Sequence, residues 1–120
     1  MISIDEIVSR FQKEATSIEN DVPNTSWYLF GSVLVDAFKA ADIDLLIVCA
    51  NHRSATLLRQ KLASLCLNLP VHLLLMTIEE ERELNFIQAS FGQKIYPVKC
   101  KHDTDIPAIF EAQWKEFYVE

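Results

Sequence analysis

The first part of the chain repeats apolar residues at the spacing of an amphipathic helix. These apolar positions are Ile4, Ile7, Val8, Phe11, Ala15 and Ile18. Ser3 and Glu6 have the spacing of a capping box, in which each side chain satisfies a backbone donor at a helix start. The pattern therefore predicts a helix that begins after Ser3 and ends near Asn20, ahead of Pro23.

Four short apolar segments farther along have the composition of strands. They span residues 27–30, 43–48, 71–76 and 93–98. The first is aromatic and ends at Gly31, which favours a turn at that point. The second is apolar apart from Asp44, which indicates a strand that is covered on both faces.

Helical spacing returns between and after these strands. Residues 51–67 form one predicted helix, and Thr77 with Glu80 forms a capping box for another that runs to about Ser90, with Gly92 as its cap. A last helix is predicted over 104–118. The order is α-β-β-α-β-α-β-α, without repeats or linkers. We therefore expect one domain over 1–120 of the α/β (α+β) class, with a small mixed sheet of about four strands flanked by helices.

Composition and charge reduce the number of protein classes that fit this chain. The formal net charge is −6, and extended nucleic acid is an unlikely partner because its binding needs a field of Lys and Arg. No apolar run approaches the roughly 20 residues that span a membrane, and the N-terminus lacks a signal peptide's pattern. Cys49, Cys66 and Cys100 show no CxxC spacing, and we expect the first two to be buried, reduced thiols. The expected location is the cytoplasm.

Two short motifs at strand ends carry the candidate chemistry. Asp42 and Asp44 lie two apart at a strand start, so their carboxylates are expected on one face. A divalent cation offsets their repulsion, and hard oxygen ligands suit Mg²⁺ or Mn²⁺. Gly31 lets a ligand approach the backbone, and Ser32 adds a hydroxyl donor for phosphate oxygens. Either motif alone is commonly an ordinary turn or a solvated strand end, but together they indicate metal-assisted displacement on a nucleoside triphosphate.

The run Phe30-Gly31-Ser32, followed by DIDLLIV at residues 42–48, resembles the nucleotidyltransferase superfamily of DNA polymerase beta. It is most similar to the minimal nucleotidyltransferases of prokaryotes. Residues 70–77 and 86–96 extend the resemblance, although only the Gly-Ser and Asp-x-Asp motifs are specific.

The resemblance implies a set of roles for these residues. Asp42 and Asp44 would be ligands of the metal ions, Mg²⁺ or Mn²⁺, that bind the triphosphate. Gly31 and Ser32 would contact its β- and γ-phosphates. It also implies a partner, either a small helical protein, as in toxin–antitoxin pairs, or a second copy of the chain.

The chain departs from the family pattern in two places. Val35 and Asp36 stand where small family members have arginine and glycine, and Asp36 is more simply a solvated loop acid than a substitute ligand. The position of the family's third aspartate holds His72. Three roles are open for His72: a general base, a ligand for a softer ion such as Mn²⁺ or Zn²⁺, or a partly buried histidine, hydrogen-bonded locally, after loss of the acid.

Three functions follow as alternatives. The first is metal-dependent transfer of a nucleoside monophosphate from a nucleoside triphosphate to a hydroxyl acceptor, with catalytic roles for Asp42, Asp44 and His72. The second is a nucleotide-binding protein in which His72 impairs transfer. The third is an antitoxin-type interaction protein, for which the aromatic side of the predicted helix 104–118 would be an interface unless it packs on the chain's own sheet.

Overall fold

A computed structural model describes residues 3–37 and 41–97 of the protein. Its elements, in chain order, are α1 (Ile4–Ile18), β1 (Ser26–Phe30), α2 (Ser32–Val35), β2 (Ile43–Cys49), α3 (His52–Lys61), α4 (Ala63–Asn68), β3 (Val71–Thr77), α5 (Ile78–Leu84), α6 (Phe86–Ala89) and β4 (Gln93–Tyr96). The predicted α/β (α+β) class, with a small mixed sheet flanked by helices, is confirmed. The predicted helix 104–118 lies outside the described residues, as does Cys100.

The four strands form one mixed sheet in the order β3-β2-β1-β4. Strand β1 is antiparallel to β2 and β4, whereas β2 and β3 are parallel. Because β1 is antiparallel to β2 and β2 is parallel to β3, the last residue of β1 lies at the same end of the sheet as the first residues of β2 and β3. Phe30 pairs with Asp44, and Asp44 pairs with His72. The ends of three strands thus meet at one end of the sheet, which we call the polar end.

Successive side chains along each strand point to opposite faces of the sheet. One face packs against α1 and α3 in the main core, whose largest fully buried members are Phe11, Trp27, Leu29, Leu45, Ile47, Leu58 and Leu62. The other face carries Leu46, Val48 and Met76, with Phe86 and Ile87 packed over them. Asp44 and His72 belong to this second face by the same alternation. Both faces of β2 are therefore covered along most of its length, as its apolar sequence predicts.

Both predicted capping boxes form. At α1 the Ser3 side chain accepts from the Glu6 N–H, and the Glu6 side chain accepts from the Ser3 N–H. At α5 Thr77 and Glu80 make the same reciprocal pair. These local signals were sufficient because a capping box needs only residues three apart.

Two helices that the sequence predicts as continuous are each divided in two. The predicted helix 51–67 breaks at Leu62, which is fully buried. The predicted helix from 78 to about 90 breaks at Asn85, which has φ 51°. Apolar spacing continues across both breaks, so periodicity alone could not reveal them. Asparagine tolerates left-handed backbone because its short side chain bonds locally, here to Gln88 at 2.9 Å.

The described residues contain no helix that is both long and apolar enough to cross a membrane.

Candidate functional site

The polar end of the sheet brings the sequence-predicted site residues into one region. Gly31 directly follows β1, and Ser32 begins α2, a four-residue helix that the sequence did not predict. Asp42 precedes β2 by one residue, while Asp44 and His72 are the second residues of β2 and β3. Both Gly31 and Ser32 are exposed, and so is Asp42. The region is therefore accessible to a ligand.

Asp44 and His72 are in direct contact across two parallel strands. His72 Nδ1 lies 3.1 Å from Asp44 Oδ1. An ionised carboxylate can only accept a hydrogen bond, so Nδ1 is the donor in this pair. The Asp44 side chain is 22% exposed and that of His72 is 74% exposed. His72 is thus hydrogen-bonded locally, but it is an exposed side chain and not the partly buried one that one of the sequence interpretations describes.

Gly31 is fixed as glycine by two independent features of its surroundings. Its backbone has φ 80° and ψ −155°, a conformation that is essentially restricted to glycine. A Cβ at this position would overlap Oδ2 of Asp44 and lie 3.4 Å from Cγ of the same carboxylate. The glycine therefore lets the Asp44 carboxylate lie directly against the backbone turn.

These two contacts surround the Asp44 carboxylate on both sides. Oδ1 faces the His72 imidazole, and Oδ2 faces the backbone at Gly31. The Gly-Ser and Asp-x-Asp motifs, which lie ten residues apart in the sequence, are therefore in contact through the Asp44 side chain.

The loop after Ser32 differs in character from the rest of the site. Val35 is 88% exposed. Asp36 is partly buried and ends α2, since its N–H bonds to the Ser32 carbonyl at 3.0 Å. Asp36 therefore belongs to the turn that follows the Gly-Ser pair.

A divalent cation suits the chemistry of the donors at the polar end. Asp42 and Asp44 supply hard oxygen donors, and both are accessible, Asp44 in part. Within residues 3–37 and 41–97, no group of three or more His, Cys, Asp or Glu side chains is arranged to hold a metal ion. Magnesium in nucleotide sites is commonly bound by one or two carboxylates together with phosphate oxygens and water. The carboxylates here fit that mode of binding, in which the triphosphate completes the ligand set.

Neither described cysteine belongs to the site. Cys49 is buried at the far end of β2, where its Sγ donates to the Met76 carbonyl at 3.4 Å. Burial raises the pKa of the Cys49 thiol, and it also raises the pKa of Cys66, which is half-buried. Raised pKa values leave little thiolate at neutral pH, so both side chains are structural.

The pairing of Asp44 with His72 is the site feature that the sequence analysis did not find. Both are the second residue of their strands, and parallel strands that start together place such residues side by side. Equal position within two neighbouring strands was the available signal. This signal could not be used to predict the contact, because strand order and register depend on tertiary packing and cannot be read from the sequence.

Comparisons with protein-family models, with curated proteins and with solved structures gave no match for this chain. Its function has to be inferred from its own residues.

Proposed function

We propose that the chain binds a nucleoside triphosphate with a divalent cation at the polar end of the sheet and transfers the nucleoside monophosphate to a hydroxyl acceptor. One observation carries the proposal: the Asp44 carboxylate lies directly against the glycine-only turn at Gly31. This contact joins a metal-binding carboxylate to a backbone turn at which phosphate can approach closely.

The ligands of the cation would be Asp42 and Asp44, both in accessible positions. The cation, Mg²⁺ or Mn²⁺, would supply positive charge to the phosphate oxygens. Gly31 and Ser32 would contact the phosphates, as the resemblance to nucleotidyltransferases implies. Val35, which occupies the place of a family arginine, adds no charge there, so the cation carries more of the phosphate's neutralisation.

The transfer itself is a displacement at the α-phosphorus. The acceptor hydroxyl oxygen forms a bond to that phosphorus, and the bond from phosphorus to the bridging oxygen of the β-phosphate breaks. Pyrophosphate leaves with the bonding electron pair, and a base at the site takes the hydroxyl proton and releases it to solvent. The residues contribute positioning and charge, which are the main means of catalysis in phosphoryl chemistry.

A second candidate function is nucleotide binding with weak or no transfer. It is favoured by the contact between His72 and Asp44, because the resemblance places a third carboxylate where this imidazole stands. In that case the chain would act mainly through a protein partner, a small helical protein or a second copy, as an antitoxin-type protein would.

Thermal shift measurements test the site. ATP and GTP, each with and without Mg²⁺ or Mn²⁺, should raise the melting temperature only when the metal is present. Asp42→Ala and Asp44→Ala should remove the rise, while Glu83→Ala, an exposed acid of α5, should retain it as a charge-matched control. Absence of a shift with every triphosphate and metal contradicts both candidate functions.

Transfer is tested with triphosphates labelled at the α-phosphate. The labelled nucleotide is incubated with the protein, either metal, and the product of the neighbouring gene as acceptor. Label that moves to an acceptor, with release of pyrophosphate, supports the transferase. Metal-dependent binding without movement of label, together with co-elution of the two proteins, supports the second candidate.

A further inference from the structure

The Asp44–His72 contact has the spacing of two neighbouring ligands on one metal ion. Two ligand atoms at right angles, each about 2.1 Å from a cation, are about 3.0 Å apart. The observed separation between His72 Nδ1 and Asp44 Oδ1 is 3.1 Å. A cation could therefore replace the shared proton with little movement of either side chain.

The strands hold this pair in place from both sides. Asp44 and His72 are directly opposed in the register of β2 and β3, two adjacent strands with seven residue pairs in register. Gly31 closes the other side of the Asp44 carboxylate. The register of the sheet therefore places the two side chains next to each other.

We propose that Asp44 and His72 are a mixed oxygen and nitrogen ligand pair, through which the site selects a first-row transition ion such as Mn²⁺ over Mg²⁺. Imidazole nitrogen is a good ligand for transition ions, whereas Mg²⁺ prefers oxygen and gives up its water reluctantly. To bind the cation, the neutral imidazole ligates through Nδ1 in the tautomer that carries its proton on Nε2, which differs from the tautomer that donates to Asp44 without metal. This inference rests on the proposed function for the presence of a cation, but it does not require transfer.

Pulsed electron paramagnetic resonance of Mn²⁺ tests the nitrogen ligand directly. The probe is Mn²⁺ with inorganic triphosphate, which contains no nitrogen, so any nitrogen coupling comes from the protein. The unmodified chain should show coupling to a histidine nitrogen. His72→Ala should lose it, and His52→Ala should keep it because His52 begins α3 at the opposite end of β2.

Competition between the two metals provides a second readout. The ratio of Mn²⁺ to Mg²⁺ affinity, measured with triphosphate present, should fall about tenfold or more in His72→Ala. His72→Asp should lower the same ratio by improving Mg²⁺ binding, since it makes the ligand set all oxygen. The exposed His72 side chain can be replaced without loss of the core, and a denaturation curve confirms that each variant is folded.

The outcomes separate this inference from the proposed function. Bound Mn²⁺ without nitrogen coupling, or an affinity ratio that is unchanged in both His72 variants, overturns the ligand pair and leaves the proposed function standing. Absence of binding by either metal with triphosphate overturns the proposed function, and the ligand pair with it.

Discussion

At the scale of single residues, the strongest prediction concerns Gly31. Gly31→Ala should lower the free energy of unfolding by about 2–3 kcal/mol, because the backbone conformation excludes a Cβ and Asp44 occupies the space it would need. The variant should also lose the metal-dependent thermal shift with triphosphate, since Asp44 must move. Chemical denaturation and thermal shift measure the two effects.

Two comparisons separate the causes of this loss. Gly92→Ala is the matched control: its Cβ would meet nothing closer than 3.5 Å, and only a small change is expected. In an Asp44→Ala background the overlap at Gly31 disappears but the unfavourable backbone angle stays, so the cost of Gly31→Ala should shrink without vanishing. Equal costs in both backgrounds would show that Asp44 does not constrain this position.

At the same scale, the residues of the site could be identified from the sequence, but the contacts between them could not. Gly31, Ser32, Asp42 and Asp44 were identified from motifs at strand ends, and His72 was identified from the family resemblance. The structure puts all five at one end of the sheet. Their contacts could not be predicted, because contact through the Asp44 carboxylate depends on strand register. The roles of these residues stay predictions.

At the scale of elements, the end of α6 is unusual because an aromatic residue takes a position that normally holds glycine. Phe91 has φ 57°, its N–H bonds to the Gln88 carbonyl at 3.3 Å, and the Gly92 N–H bonds to the Ile87 carbonyl at 2.8 Å. This is a Schellman ending whose left-handed residue is Phe91, one position earlier than the glycine that the sequence suggests as the cap. A bulky side chain there is strained.

Phe91→Gly should therefore stabilise the protein by about 1 kcal/mol. The side chain is 73% exposed, so little packing is lost with the ring. Phe91→Asn should give a smaller gain, since asparagine tolerates the same conformation less well than glycine. Urea denaturation measures both. A loss of stability in the two variants would mean that the ring makes contacts worth more than the backbone strain.

The start of α5 predicts a response to acid. The hydrogen bond from the Thr77 N–H holds the pKa of Glu80 below its usual 4.5. Because the folded-state pKa is lowered, the contribution of Glu80 to stability is present at neutral pH and is lost as the pH falls below 4.5. Glu80→Gln should flatten the fall of unfolding free energy with pH in that range.

Glu83→Gln serves as the control for this experiment, since it removes a charge from the same helix away from the cap. Its acid profile should follow that of the unmodified chain. An unchanged profile in Glu80→Gln would show that the capping box does not contribute to acid sensitivity.

The starts of two helices could be predicted from the sequence, but the breaks within two predicted helices could not. Ser3 with Glu6 and Thr77 with Glu80 mark helix starts correctly, because the interacting groups are three residues apart. The breaks at Leu62 and Asn85 could not be predicted, because apolar spacing continues across both of them.

At the scale of the whole molecule, polar contacts join α1 to β4, the last described strand, although the two elements lie far apart in the sequence. The Gln12 side chain donates to the Ile95 carbonyl at 3.0 Å, and the Tyr96 hydroxyl donates to the Glu19 carboxylate. The Tyr96 ring lies edge-on to Trp27, with 6.3 Å between ring centroids. These contacts connect β4, an edge strand of the sheet, to the main core.

The Tyr96–Glu19 bond makes the stability of the molecule sensitive to alkali. The hydrogen bond to Glu19, followed by burial, raises the pKa of Tyr96 above its usual 10.0. A raised folded-state pKa means that this stabilisation is complete below pH 10 and is lost as the pH rises through the folded value. Tyr96→Phe should cost about 1–2 kcal/mol at neutral pH, and the difference from the unmodified chain should shrink only as the pH rises above 10.0. Glu19→Gln keeps an acceptor without the charge, so it should retain part of the stability while lowering the pKa of Tyr96, measured by absorbance of the tyrosinate. A difference between Tyr96→Phe and the unmodified chain that stays constant over this range would show that the ring, and not its hydroxyl, connects β4 to α1.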